Sequence, residues 1–272
     1  MPQDVACLPR RHGKAPYRIA VLHGGPGAAG AMAPVAQALS RQAGVLEPWQ
    51  TADSVDGQIE ELAACLGAAA TPPVACVGHS WGAWLGVLVA ARYPELVCQL
   101  ILVGCAPFTE RYAAGLTRKR LERLAPEARR EAEALLADAN PSDAGLARLG
   151  ALFARADAYD PLDDGDAVGT GSGAGLRADI FAAVWPEAAA LRRSGQLLAR
   201  ARRLRCPVTA IHGAHDPHPV AGVCRPLAAL PRFRCVTLPC CGHTPWLERQ
   251  AREPFFRELA AALAACAPAA GA

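Results

Sequence analysis

Three side chains, far apart in the chain, have the types that together make a serine nucleophilic. They are Ser80 in Gly78-His79-Ser80-Trp81-Gly82, Asp216 in His212-Gly213-Ala214-His215-Asp216-Pro217, and His243 in Cys240-Cys241-Gly242-His243. A serine hydroxyl is a poor nucleophile at neutral pH. It needs a base to take its proton, and the base needs an acid to orient it. Apolar Val74-Ala75-Cys76-Val77 precedes the serine, and a helix-length apolar run, Ala83 to Arg92, follows it. The pattern predicts a strand that turns sharply into a helix, with the serine at the corner and a glycine two residues to either side. A Cβ at either glycine would collide with the neighbouring element. The helix that starts there aims free N–H groups and its positive dipole end at the reacting carbonyl.

The tetrahedral intermediate of acyl transfer needs two further N–H donors. Trp81, the residue after the serine, is expected to supply one. The loop His23-Gly24-Gly25-Pro26-Gly27 is expected to supply the other, from Gly25.

The elements that must hold these groups alternate. Apolar strands are expected at 17–22, 74–77, 99–104, 206–211 and 232–238, with a short one at 45–49 that Pro48 demotes towards a sheet edge. Helices are expected at 30–42, 55–66, 83–92, 219–229 and 246–265, and residues 1–16 carry little pattern. Such alternation means a mostly parallel sheet with helices on both faces. The rhythm breaks at Pro107. From 107 to 205 the chain reads as helical, with helices near 110–124, 126–137, 142–158 and 186–194 and an Asp- and Gly-rich loop over 163–175. The expected division is a core of residues 1–106 and 206–272 with a helical cap inserted at 107–205.

Asp216 and His243 each follow a predicted strand, at the edge where parallel sheets build their sites. The competing residues read otherwise. His79 points away from Ser80 and packs. His212, His215 and His218 hint at a metal by their spacing, but they lie on a strand end and a turn, so no metal is expected. Asp164 and Asp166 fall in the cap loop and read as solvated.

Composition removes other classes. The net charge is +3 and half the residues are hydrophobic, with no aromatic-interleaved basic patch of the kind that binds nucleic acid. The basic run Arg200, Arg202, Arg203, Arg205 reads as a surface turn. No apolar run is long enough to span a membrane, and the chain does not open on a signal-peptide pattern. The eleven cysteines include no C-x-x-C pair. Cys65, Cys76, Cys98, Cys105, Cys206 and Cys235 lie in or beside apolar stretches and read as core thiols, which fits a reducing cytoplasm.

With the order Ser…Asp…His added to these motifs, the chain resembles the α/β-hydrolase superfamily over nearly its whole length. His23-Gly24-Gly25-Pro26-Gly27 is similar to the motif of the proline iminopeptidase branch, as is the elbow Gly78-His79-Ser80-Trp81-Gly82, which in that branch typically carries Gly at the position of His79. The resemblance implies an α/β-hydrolase fold, a cis bond before Pro26, and cap residues that set the substrate. Trp81, Trp185 and Glu187 are the candidate substrate-binding residues, Glu187 as the holder of a substrate amine; Phe153 and Phe181 are expected with the two tryptophans in an apolar pocket.

The expected activity is that of a cofactor-free serine hydrolase cleaving an ester or amide of a small, largely apolar substrate. The alternatives are a proline iminopeptidase acting on short peptides, a lyase or cofactor-free oxidoreductase with the same triad, and a ligand-binding pseudoenzyme.

Overall fold

A computed structural model describes residues 9–138, 142–162 and 177–264 of the chain. Seven strands form one sheet in the order β1-β3-β2-β4-β5-β6-β7. They are β1 (Arg10–His12), β2 (Tyr17–Leu22), β3 (Gly44–Glu47), β4 (Val74–His79), β5 (Val97–Val103), β6 (Val208–Gly213) and β7 (Phe233–Leu238). Every neighbouring pair is parallel except β1 with β3.

The sheet sorts its side chains with period two, as strands buried on both faces must. Ala20, Leu22, Cys76, Leu100 and Leu102 face one cluster. Val21, Val77, Ile101 and Val103 face the other. The first is covered by α2 (Val55–Ala69), α3 (Trp81–Arg92) and α10 (Ala221–Leu227), the second by α1 (Ala33–Leu39) and α11 (Arg252–Ala264). In α2, Val55, Ile59, Leu62 and Leu66 recur at helical spacing and are all buried. The Oγ of Ser54 caps the helix by accepting from the Gly57 N–H at 3.1 Å.

Between β5 and β6 lie six helices among the described residues: α4 (Glu110–Ala113), α5 (Leu116–Arg123), α6 (Pro126–Ala137), α7 (Asp143–Asp157), α8 (Ala178–Arg193) and α9 (Gln196–Ala201). The last two do not stand apart from the core: Ile180, Val184, Ala188, Leu197 and Ala201 join the same buried cluster as α3.

Several local expectations give way to the structure. The edge strand is β1, in a segment without pattern; it is held by pairing Arg10 with Glu47, so β3 lies inside the sheet. The helix expected over 110–124 divides at Gly115, whose φ of 85° no helix accommodates. The helix expected to start at Pro186 starts at Ala178 and carries the proline inside it. The loop expected over 163–175, with Asp164 and Asp166, lies outside the described residues.

Cys235 is not a free core thiol: it is disulfide-bonded to Cys224, joining α10 to β7. Cys65 is disulfide-bonded as well. Cys76 and Cys105 are free and buried. Among the described residues no helix is long and apolar enough to cross a membrane.

Candidate active site

The strand order makes the crevice. From β2 the chain moves outward to β3, then returns past β2 to β4. The connections leaving β2 and β4 therefore diverge at their C-terminal ends, the point where such sheets take ligands. His23–Gly27 leaves β2 there, and Ser80 leaves β4. The two segments touch, since a Cβ built on Gly24 would stand 3.2 Å from that of Ser80.

Ser80 has φ 52° and ψ −113°, a backbone that non-glycine residues rarely adopt. The turn is this tight because β4 passes directly into α3. A Cβ on Gly78 would collide with the Gly82 carbonyl, and one on Gly82 with the Leu22 carbonyl of β2. Trp81 is the first residue of α3, so its N–H has no acceptor within the helix. Gly25, in the loop after β2, has φ 113°, and the Gly25–Pro26 bond is cis.

Asp216 and His243 meet as expected from their strands. The Nδ1 of His243 stands 2.8 Å from Oδ2 of Asp216. Asp216 is 3% exposed. Burial pushes its carboxyl upward, but the neighbouring His243 and His218, through charge and hydrogen bonds, hold it well below the usual carboxylate range. Burial likewise pushes His243 down, and the charge and hydrogen bond of Asp216, with Asp157 behind, keep it above the ordinary imidazole value. An ionised carboxylate therefore faces an imidazole through Nδ1–H, which leaves Nε2 as the basic atom.

The turn at Ser80 and the His243 loop are joined through His79. Its Nε2 donates to the His243 carbonyl at 3.1 Å, and its ring lies against those of His243 and Trp246. Burial holds its pKa well below the ordinary value, so it packs as a neutral ring. The cap also reaches this loop. The His243 N–H donates to the Asp157 carbonyl at 3.0 Å, and Arg120 grips the Asp157 carboxylate with Nε and Nη2 at 2.8 and 2.6 Å. Arg123 donates to the carbonyls of Ala156 and His215.

The candidate substrate-binding residues have partners of their own. The ring of Trp81, expected against substrate, is 1% exposed and donates from Nε1 to Gln58 at 2.9 Å, so only its backbone faces the elbow. Trp185 stacks between Trp84 and Phe181. Phe153 lies under the Arg120 guanidinium. The Oε2 of Glu187 accepts from the Val55 N–H at 2.8 Å, capping α2, and the residue borders a groove of about 340 Å³ with Leu191 and Arg200. A carboxylate is drawn there by the positive end of the helix.

His218 went unread except as part of a histidine spacing. It stands two residues after Asp216 and bonds Oδ1 through both its N–H and Nδ1, at 2.9 and 2.8 Å. The signal was present in His212-x-x-His215-Asp216-x-His218, with the acid at its centre. Asp216, His218 and His243 bring ligand-type atoms within 4.8 Å of one another. In the same cluster Asp216 already holds both rings, His218 through Oδ1 and His243 through Oδ2.

A family model described as "Alpha/beta hydrolase family" matches residues 12–258. The chain belongs to the alpha/beta hydrolase family. Solved alpha/beta hydrolase relatives share its fold at low identity. A meta-cleavage product hydrolase from Pseudomonas fluorescens IP01 (CumD) is 18% identical, with 94% of this chain and 93% of that one covered and a TM-score of 0.67. The proline iminopeptidase of Mycobacterium smegmatis is 18% identical, with 94% of each chain covered and a TM-score of 0.61. An E-2-(acetamidomethylene)succinate hydrolase is 18% identical, again with 94% of each covered, and has a TM-score of 0.60.

Proposed function

We propose that this protein is a serine hydrolase that cleaves an ester or amide of a small, uncharged substrate through an acyl-enzyme. The observation that carries the reading is the contact of His243 Nδ1 with Asp216 Oδ2 at 2.8 Å, with the His243 ring against His79, the neighbour of a serine at positive φ on a strand-to-helix corner. In this reading Ser80 attacks the carbonyl while His243 Nε2 takes its proton. The N–H groups of Trp81 and Gly25 receive the oxyanion. His243 then protonates the leaving group, and water releases the acyl group by the same route in reverse. Asp216 keeps its charge throughout and holds the ring.

A neutral substrate is favoured over an N-terminal proline because an amine buried at the site would need a free carboxylate. Glu187 caps α2. Asp157 is taken by Arg120. Glu248, 1% exposed, accepts from the N–H groups of Tyr159, Asp160 and Gly242. The similar structures are named as a meta-cleavage product hydrolase, a proline iminopeptidase and an E-2-(acetamidomethylene)succinate hydrolase, so their names do not favour one substrate over another.

The test pairs fluorophosphonate labelling with turnover of p-nitrophenyl acetate and prolyl-p-nitroanilide by the parent and Ser80→Ala. Labelling and ester turnover, both lost in Ser80→Ala, are expected. A protein that is neither labelled nor active is a ligand-binding relative, and a preference for the prolyl amide makes it an iminopeptidase.

A further inference from the structure

Asp216 serves two imidazoles. Its Oδ2 meets Nδ1 of His243 at 2.8 Å, and its Oδ1 meets Nδ1 of His218 at 2.8 Å. The His218 N–H adds a second bond to Oδ1 at 2.9 Å. An ionised carboxylate can only accept, so both rings present Nδ1–H to it. His218 is buried, and its pKa is pushed down to about 4, chiefly by that burial, against the pull of Asp216. It is thus a neutral donor while His243 gains and loses its proton. Its own position is fixed from behind: His212, fully buried, donates from Nε2 to the His218 carbonyl at 2.8 Å. The rings of His218 and His243 lie 4.6 Å apart, tilted by 30°.

We propose that His218 is a positioning residue that holds the Asp216 carboxylate by the oxygen His243 does not use, and thereby sets both the orientation and the basicity of the catalytic imidazole. The inference rests on the triad reading above. A carboxylate bonded to one ring can turn about its Cβ–Cγ bond, and the base turns with it. A carboxylate held on both oxygens cannot, so His243 keeps Nε2 aimed at one place. The second donor also takes up part of the carboxylate's negative charge. Without it, Asp216 would stabilise the protonated His243 more strongly, and the base would be neutral only at higher pH.

The other groups around this pair are His212 on the same connection, His79 at the end of β4, Cys105 after β5, and Asp157 and Arg120 from the cap. None of them contacts Oδ1, so the effect of His218 is separable from theirs by substitution at one position.

The experiment compares His218→Leu, His218→Asn and His218→Gln with the parent. An Asn amide nitrogen can stand where Nδ1 stands, a Gln amide lies one carbon too far, and Leu has no donor. Folding is checked by circular dichroism and melting. The readouts are kcat and KM for p-nitrophenyl acetate across pH, and the His243 titration followed by NMR, which needs no turnover. In Leu and Gln, kcat should fall by about tenfold or more. KM should hold, and the acid limb and the His243 titration should both move to higher pH. Asn should restore both. Folded Leu and Gln variants with parental kcat and an unmoved His243 titration overturn the proposal, as does an Asn variant no better than Gln. Should Leu not fold, the Asn–Gln comparison decides. An activity that survives Ser80→Ala would refute the triad reading instead, and the NMR titration would still report on His218.

Discussion

The imidazole of His79 lies against that of His243, ring centroids 4.6 Å apart, and donates to the His243 carbonyl. His79, next to Ser80, thus holds the loop of His243 at the position where the resembling elbow typically has Gly. His79→Gly should lower kcat by about ten- to a hundredfold, because small displacements of a base are costly, while KM stays near its parental value. Steady-state kinetics on a p-nitrophenyl ester check this; an unchanged kcat would reduce His79 to packing alone.

The pH dependence has a definite sign. His243 must be neutral to act as base, and its pKa lies above the ordinary imidazole value. The rate should therefore be full well above about pH 6.5 and fall as pH drops through the raised pKa. Asp216→Asn removes the charge that raises it and the acceptor that fixes the tautomer. The expected loss in kcat is about 10⁴-fold, with the fold retained. Near-normal turnover in Asp216→Asn would assign the acid role to another residue.

Glu187 makes a prediction about stability and none about specificity. Its carboxylate sits at the N-terminus of α2, accepting from Val55. Glu187→Gln weakens the charge–dipole attraction by about 0.3–1 kcal/mol. Urea denaturation should record that loss, while the ratio of ester to prolyl-amide turnover stays unchanged. A changed ratio would return Glu187 to the substrate site.

The positions of Ser80, Asp216 and His243 are legible because each follows a strand with a clear apolar run, β4, β6 and β7. Gly78 and Gly82 bear out the steric reason read from the sequence, since each faces a backbone carbonyl that a Cβ would strike. The cap was legible as helix and illegible as site. Which face of α8 meets α2 depends on a contact 132 residues away in sequence, and no local pattern encodes that Glu187 will end there. β1 escaped notice because three polar residues owe their strand conformation to pairing with β3. His218 escaped because its partner is the acid, a contact that only the turn at Pro217 creates.

The disulfide between Cys224 and Cys235 closes a short loop, with a sequence separation of 11. Closing a loop of that size in the unfolded chain is worth roughly 2–3 kcal/mol. The double variant Cys224→Ser, Cys235→Ser should lose about that much stability in urea titration under non-reducing conditions. Alkylation of the folded parent without reductant should leave both sulfurs unmodified. Labelling of either one would remove the bond from the account.

The helices between β5 and β6 reach His243 by a charged pair whose two members act on it in opposite senses. Asp157 raises the pKa of His243 and Arg120 lowers it. They are bound to each other at 2.6 Å, with side chains 6% and 19% exposed. Asp157→Asn removes a negative charge near the imidazolium, so the acid limb of the rate profile should move to lower pH. Arg120→Gln removes a positive charge and should move it to higher pH. The double variant should lie near the parent, because the two perturbations cancel. Stability should respond differently. Each single change leaves a poorly solvated partner without its counter-charge and should cost about 3 kcal/mol, while the double variant costs less than the sum. The His243 N–H bonds the Asp157 backbone carbonyl, not its carboxylate, so the loop stays attached in all three variants. Shifts of opposite sign would therefore report electrostatic tuning of the base from the cap. Shifts of the same sign in both single variants would instead mean that the pair acts by holding the cap in place.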